Sequence, residues 1–127
     1  MSFTFNARRG LIIVQAELFG PSGSIVLRLA LDTGATATMV NVGPLAAVGY
    51  DPSLAAARVQ VTTGSGVEYV PRIEVSRIKV LGQERVDFPV LSHTLPPSAG
   101  IDGLLGLDFL RARKLRIDLA KGHLSLS

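Results

Sequence analysis

The chain contains no cysteine. A disulfide framework and a thiolate metal site are therefore excluded, and with them the small secreted scaffolds and zinc ribbons that depend on such bonds. No apolar run approaches the roughly 18 residues of a bilayer-spanning helix, because Gln15, Glu17 and Arg28 interrupt the most hydrophobic stretches. The expectation is a soluble chain with no membrane contact of its own. The cytoplasm is slightly favoured, and an upstream anchor or domain stays open. Residues Met1 to Arg9 lack the order of a signal peptide, since Arg8 and Arg9 follow Phe3 and Phe5 and no small-residue cleavage site is evident. They read as mature sequence.

Charge and aromatic side chains are also scarce, at 18% and 6% of residues, and tryptophan is absent. Arg111, Arg113, Lys114 and Arg116 do cluster, but the formal charge is only +3. No aromatic residue interleaves with them as a base-stacking platform requires, so nucleic acid is not an expected partner. The two histidines, His93 and His123, lie beside Ser92 and near Ser125 in what read as loop or turn contexts. Without a Gly-x-Ser-x-Gly elbow they read as surface residues and not as parts of a serine triad.

What the chain does have is apolar residues, 47% of its 127. That is enough to offset chain entropy and build one core, so residues 1–127 are expected to form a single domain. Apolar runs with alternating polarity, broken by glycine and proline turns, indicate an all-β fold. Gly10 to Phe19 and Ser24 to Leu31 flank Gly20-Pro21-Ser22-Gly23 as one hairpin. Arg58 to Thr62 and Val67 to Val75 flank Thr63-Gly64-Ser65-Gly66 as a second. Ile78 and Val80 pair with Val86, Phe88 and Val90 through Gly82-Gln83 as a third, with Pro89 moving its strand towards an edge. Leu115, Ile117 and Leu119 turn at Lys121-Gly122 into Leu124 and Leu126 as a fourth. Helix is expected only from Pro44 to Val48 and, where the apolar strand within Ile101 to Leu110 gives way, through Ala112; Leu45 to Ala57 as a whole carries no clear role.

Asp32 follows the second strand directly. A carboxylate at the end of a buried strand costs several kcal/mol unless it is paired or hydrogen-bonded. Thr33 adds a hydroxyl that can bond across a tight turn, and Gly34 lets the backbone approach a substrate or another chain. Leu31-Asp32-Thr33-Gly34-Ala35-Thr36, together with Gly103-Leu104-Leu105-Gly106-Leu107-Asp108-Phe109-Leu110, resembles the retropepsin-like aspartic proteases, over roughly residues 10 to 126.

That resemblance implies a closed β barrel in which the Asp32 loop lies beneath Leu104-Leu105-Gly106, with Leu105 and Gly106 supporting the site. It implies a flap formed by Thr63, Gly64, Ser65 and Gly66, and an extended polypeptide substrate bonded to that flap and to Gly34, Ala35 and Thr36. Such enzymes need two carboxylates, and this chain carries one Asp-Thr-Gly segment. The resemblance therefore implies a homodimer with Asp32 of each copy as the catalytic residue, Thr33 locking the two loops together, and an endopeptidase activity that uses no cofactor and no metal. Asp102 and Asp108 are expected to be structural, at a turn and a helix N-terminus respectively.

Two other functions fit less well. A catalytically silent dimer of the same fold could act as a peptide-binding or scaffolding module, but Thr33 and Gly34 are intact. A phosphotransferase with Asp32 as nucleophile would need alternating strands and helices and a second carboxylate for magnesium.

Overall fold

The structure is a computed structural model that describes residues 1–127, apart from the side chain of Thr63. Strands β2 (Ile13–Gly20) and β3 (Gly23–Leu31) form the first expected hairpin, in register from Ile13 opposite Ala30 to Gly20 opposite Gly23. Its first strand begins at Ile13, not at Gly10. Alternation decides which face is inward: Val14, Ala16 and Leu18 on β2 and Leu27 and Leu29 on β3 are buried.

Further along come β4 (Met39–Val40), β5 (Ala57–Thr63), β6 (Gly66–Val80), β7 (Gln83–Ser92) and β8 (Gly103–Leu105). The strand order β2-β3-β8-β4-β7-β6 returns to β2 through the β2–β6 pairing, which closes a six-strand ring. β5 hangs outside that ring, paired to β6 alone. The core fills the ring with Leu18, Leu27, Leu29, Leu105 and Phe109, all fully buried.

β6 differs from expectation. The second and third hairpins share it as one strand of 15 residues, pairing with β5 over Gly66–Arg72 and with β7 over Arg72–Val80. Two separate strands were expected because the apolar alternation slips by one residue: Val75 and Ile78 are both buried, three positions apart. The slip lies at Ser76, across from Asp87, whose φ of 49° is left-handed. Tyr50 repairs the ladder there, its hydroxyl accepting the Ser76 N–H at 2.7 Å and donating to the Phe19 carbonyl at 2.8 Å. This gives the unassigned 45–57 segment a structural task. It holds the corner at which β6 leaves the outer hairpin and joins the ring.

Pro89 does not make β7 an edge strand. β4 pairs with it at Leu91 and Ser92, just beyond the proline, so only the stretch up to Pro89 lacks a second neighbour. The first helix, α1, runs Val42–Ala47 from Asn41, two residues earlier than expected, with Pro44 still inside the first turn, where no intrahelical donor is lost. The second, α2, is a single turn at Leu107–Leu110; it stops short of Ala112, which lies at a left-handed φ of 63°. Arg85 covers its end, donating to the Phe109 carbonyl at 3.0 Å.

A smaller sheet of order β1-β10-β9 completes the fold, from β1 (Phe3–Thr4), β9 (Leu115–Asp118) and β10 (His123–Leu126). The last two are the fourth expected hairpin. β1 was not foreseen, because two residues carry no periodicity; Phe3 and Phe5 anchor it by packing against the core. His123 belongs to β10 and not to a turn. Among the described residues no helix is long and apolar enough to cross a membrane.

Candidate active site

β3 ends at Leu31 and leads directly into Asp32. The Asp32 N–H donates to the Leu105 carbonyl at 3.0 Å, so the parallel neighbour β8 continues to hold the chain one residue past the end of β3. A tight turn then forms as the Ala35 N–H donates to the Asp32 carbonyl at 3.1 Å. The side chain joins this turn: Asp32 Oδ1 accepts the Gly34 N–H at 2.9 Å, while Oδ2 accepts no hydrogen bond among the described residues. A Cβ on residue 34 would come within 3.2 Å of Oδ1, a tight contact with the carboxylate. The carboxylate is half-buried, with one oxygen fixed and the other available for chemistry.

The returning leg of the loop is clamped from below. Leu107 donates its N–H to the Ala35 carbonyl at 2.8 Å. The fully buried Thr38 accepts the Gly106 N–H on Oγ1 at 3.1 Å and donates that hydroxyl to Asp108 Oδ1 at 2.7 Å. The Asp108 carboxylate also takes the Thr38 N–H at 3.0 Å and the Phe109 N–H at 2.8 Å. Asp108 does sit in the first turn of α2 as expected, and it additionally ties that turn to the Asp32 loop. Thr38 and this clamp escaped the sequence reading. The available signal was a threonine in an apolar stretch facing an aspartate that opens a helix.

Asp108→Ala removes all of these acceptors at once. It is expected to cost about 2 kcal/mol of stability in urea unfolding, with Asp108→Asn losing less because its amide oxygen still accepts from Thr38. Equal stability of the alanine variant and wild type would contradict the clamp.

Asp102 is likewise structural. Its Oδ2 accepts the Arg28 N–H and its own N–H donates to the Arg28 carbonyl, each at 2.8 Å, so it joins the loop before β8 to β3. Within one chain, then, Asp102 and Asp108 are each tied to a distant segment, whereas the Asp32 carboxylate bonds only within its own turn. His93 lies just past β7, its Nδ1 3.9 Å from Glu68, away from any nucleophile–base arrangement. Among the described residues no cluster of acidic or histidine side chains could hold a metal ion.

A cleft of about 290 Å³ opens beside the loop, with Gly34, Ala35, Thr36 and Met39 on one side and Val59–Thr62 of β5 on the other. The structure thus brings the expected residues Gly34, Ala35 and Thr36 together with the β5 arm of the β5–β6 hairpin. The hairpin closes through Gly64 and Ser65, with Thr63 opposite Gly66, which adopts a φ of 130° that favours glycine. Gly64, Ser65 and Gly66 are exposed at its tip and do not line the cleft; the side chain of Thr63, also expected to contact substrate, lies outside the described residues. Thr33 is exposed at the top of the loop. Leu105 and Gly106 are buried, and they bond to Asp32 and Thr38 respectively.

Solved structures share this architecture, two of them as follows. A retropepsin-like aspartic protease from Rickettsia conorii superposes with a TM-score of 0.72 at 21% identity, over 99% of this chain and 88% of that one. The retroviral protease-like domain of Ddi1 from Leishmania major gives 0.62 at 18%, over 94% and 90% respectively. These likenesses establish a retropepsin-like fold. No curated protein matches the chain by sequence. The family model described as gag-polyprotein putative aspartyl protease matches residues 23–112, from the start of β3 through Asp32, the β5–β6 hairpin and β8 to the end of α2. The chain therefore belongs to the gag-polyprotein aspartyl protease family.

Proposed function

We propose that two copies of this chain form one aspartic endopeptidase site, with Asp32 of each copy meeting at a two-fold axis. The observation that carries this reading is the half-site itself: a single carboxylate with one oxygen pinned by Gly34 and the other open, two residues before the loop segment that lines a cleft. A two-fold operation on such a loop supplies the missing partner from the same residue. Thr33 is exposed in that loop, and in this reading its hydroxyl bonds across the axis.

Two carboxylates about 3 Å apart do not both ionise readily, so the pair holds one proton between them. The ionised member takes a proton from a water molecule, and the resulting hydroxide attacks the scissile carbonyl carbon. The protonated member gives its proton to the carbonyl oxygen as negative charge develops there. Collapse of the tetrahedral intermediate breaks the C–N bond: one carboxyl gives its proton to the leaving amine while the other takes a proton from a hydroxyl of the intermediate as the C=O re-forms, which restores the singly protonated pair. The polypeptide binds extended, with its backbone against Gly34-Ala35-Thr36 and against the β5–β6 hairpin, which acts as a flap carrying Thr63, Gly64, Ser65 and Gly66.

The sign of the pH dependence follows from the shared proton. Activity rises with pH as the first carboxyl of the pair ionises and supplies the base, then falls as the second proton leaves and the acid is lost. Cleavage of an unfolded protein, followed between about pH 3 and pH 8 with a chelator present, should trace that bell. Binding of peptides with no cleavage at any pH would reject the protease and leave a peptide-binding dimer.

A further inference from the structure

A second cavity, also of about 290 Å³, is lined by Arg28 of β3, by Arg9, Leu11 and Ile13 from the segment that enters β2, and by Ser98 and Gly100 from the loop before β8. None of these side chains has a part in the site described so far.

Strand geometry ties this cavity to Asp32. Leu27 and Leu29 of β3 pack into the core, so by alternation Arg28 and Ala30 face the other way. The ladder to β8 continues through the Asp32 N–H, which keeps Asp32 in that same alternation. Four residues separate Arg28 from Asp32, about 13 Å of extended strand. On the neighbouring strand the Ile12 carbonyl accepts the Leu31 N–H at 2.8 Å, so Leu11 and Ile13 flank the residue that bonds to the immediate neighbour of Asp32. The cavity thus lies along the face of β3 that carries the carboxylate.

Its charge is one-sided. Neither the Arg9 nor the Arg28 guanidinium makes an ion pair or hydrogen bond among the described residues. Arg8 precedes them in the chain and adds a third positive charge. Asp102 is the acidic group tied to this corner, but its Oδ2 accepts the Arg28 N–H and it pairs with neither guanidinium. Two guanidinium groups brought to one cavity repel each other, and an anion between them removes that repulsion. Leu11 and Ile13 give that anion an apolar wall, which suits a carboxylate carried on an aliphatic stem.

We infer that this cavity selects the substrate by receiving an aspartate or glutamate side chain, its carboxylate shared by Arg9 and Arg28. The acidic residue lies within about four residues of the scissile bond, because an extended peptide advances about 3.3 Å per residue along the 13 Å from Asp32 to Arg28. The inference rests on the proposed protease site and gives it a charge preference that the cleft beside Gly34, Ala35 and Thr36 does not supply. A single exposed ion pair contributes little, but two converging donors add up to a preference of about tenfold.

Peptides acetylated and amidated at their ends, so that only side chains carry charge, test it. Glutamate is stepped through the four positions on each side of the cleaved bond and compared with glutamine at the same place. Wild type should cleave the glutamate peptide about tenfold faster in kcat/KM at the position that reaches the cavity, with the advantage shrinking as salt is raised. Arg28→Gln and Arg9→Gln should each lower that ratio about threefold or more, and Arg28→Glu should turn it over in favour of a lysine peptide. Loss of folded enzyme cancels, because each ratio is taken within one preparation. A wild-type ratio near one at every position, or a ratio that either glutamine variant leaves unchanged, would overturn the inference. Binding of the same peptides to Asp32→Asn, followed by fluorescence anisotropy, should show the same preference for glutamate. Glutamate-selective binding with no cleavage by wild type would refute the protease and leave the cavity's preference standing. Cleavage indifferent to charge would refute the cavity and leave the protease.

Discussion

Asp32→Asn is expected to fold and dimerise like wild type and to lose proteolysis by about 10³-fold or more. The substitution is nearly isosteric, and the amide oxygen of asparagine can still accept the Gly34 N–H that Oδ1 now takes at 2.9 Å, so the turn keeps its shape. What it cannot do is ionise. An amide neither draws a proton from water nor holds the shared one, so both the base and the acid of the proposed pair disappear in a homodimer of the variant. Cleavage sites mapped on an unfolded protein, beside a urea melt of each form, separate lost chemistry from lost fold. Turnover equal to wild type would remove Asp32 from the mechanism.

Gly106→Ala carries the largest expected structural effect near the site. A Cβ there would lie 2.6 Å from the Ala37 carbonyl carbon, 2.7 Å from its oxygen and 3.0 Å from the Ala35 oxygen. All three are backbone atoms, so no rotamer change relieves the contact and the two loops must separate. Separation stretches the Leu107-to-Ala35 and Gly106-to-Thr38 bonds, which place the Asp32 loop over β8. The expected cost is about 3 kcal/mol of stability, at the upper end for an added methyl group. Activity should fall further than stability explains, because the catalytic loop is the part displaced. A Gly106→Ala enzyme of wild-type stability in urea and wild-type turnover would show that the loops are not held as described.

Much of the fold was legible because alternation and turn chemistry are local. The hairpins of β2 with β3 and β9 with β10 announce themselves by inward residues two apart and by glycine at positive φ, as at Gly23 and Gly122. The errors arose where a distant element overrides the local pattern. β6 remains one strand through the phase slip at Ser76 because Tyr50, far away in sequence, takes the stranded N–H. β7 escapes the edge position that Pro89 suggested because β4 pairs with its last residues.

The same division holds at the site. Asp32, Gly34 and their turn lie within a few residues of one another and could be read from chemistry. The bond from Asp108 to Thr38 spans 70 residues, and no periodicity reports it.

The central claim is that one site is built from two chains, and a mixing experiment tests it most directly. Wild type and Asp32→Asn are combined in varying proportion, allowed to exchange subunits, and assayed for cleavage at fixed total concentration. If both carboxylates are needed, only wild-type homodimers cut, and an equal mixture retains about a quarter of the wild-type activity. A mixture that retains about half, with activity falling in straight proportion to the variant added, would mean that each chain works alone and would contradict the shared site.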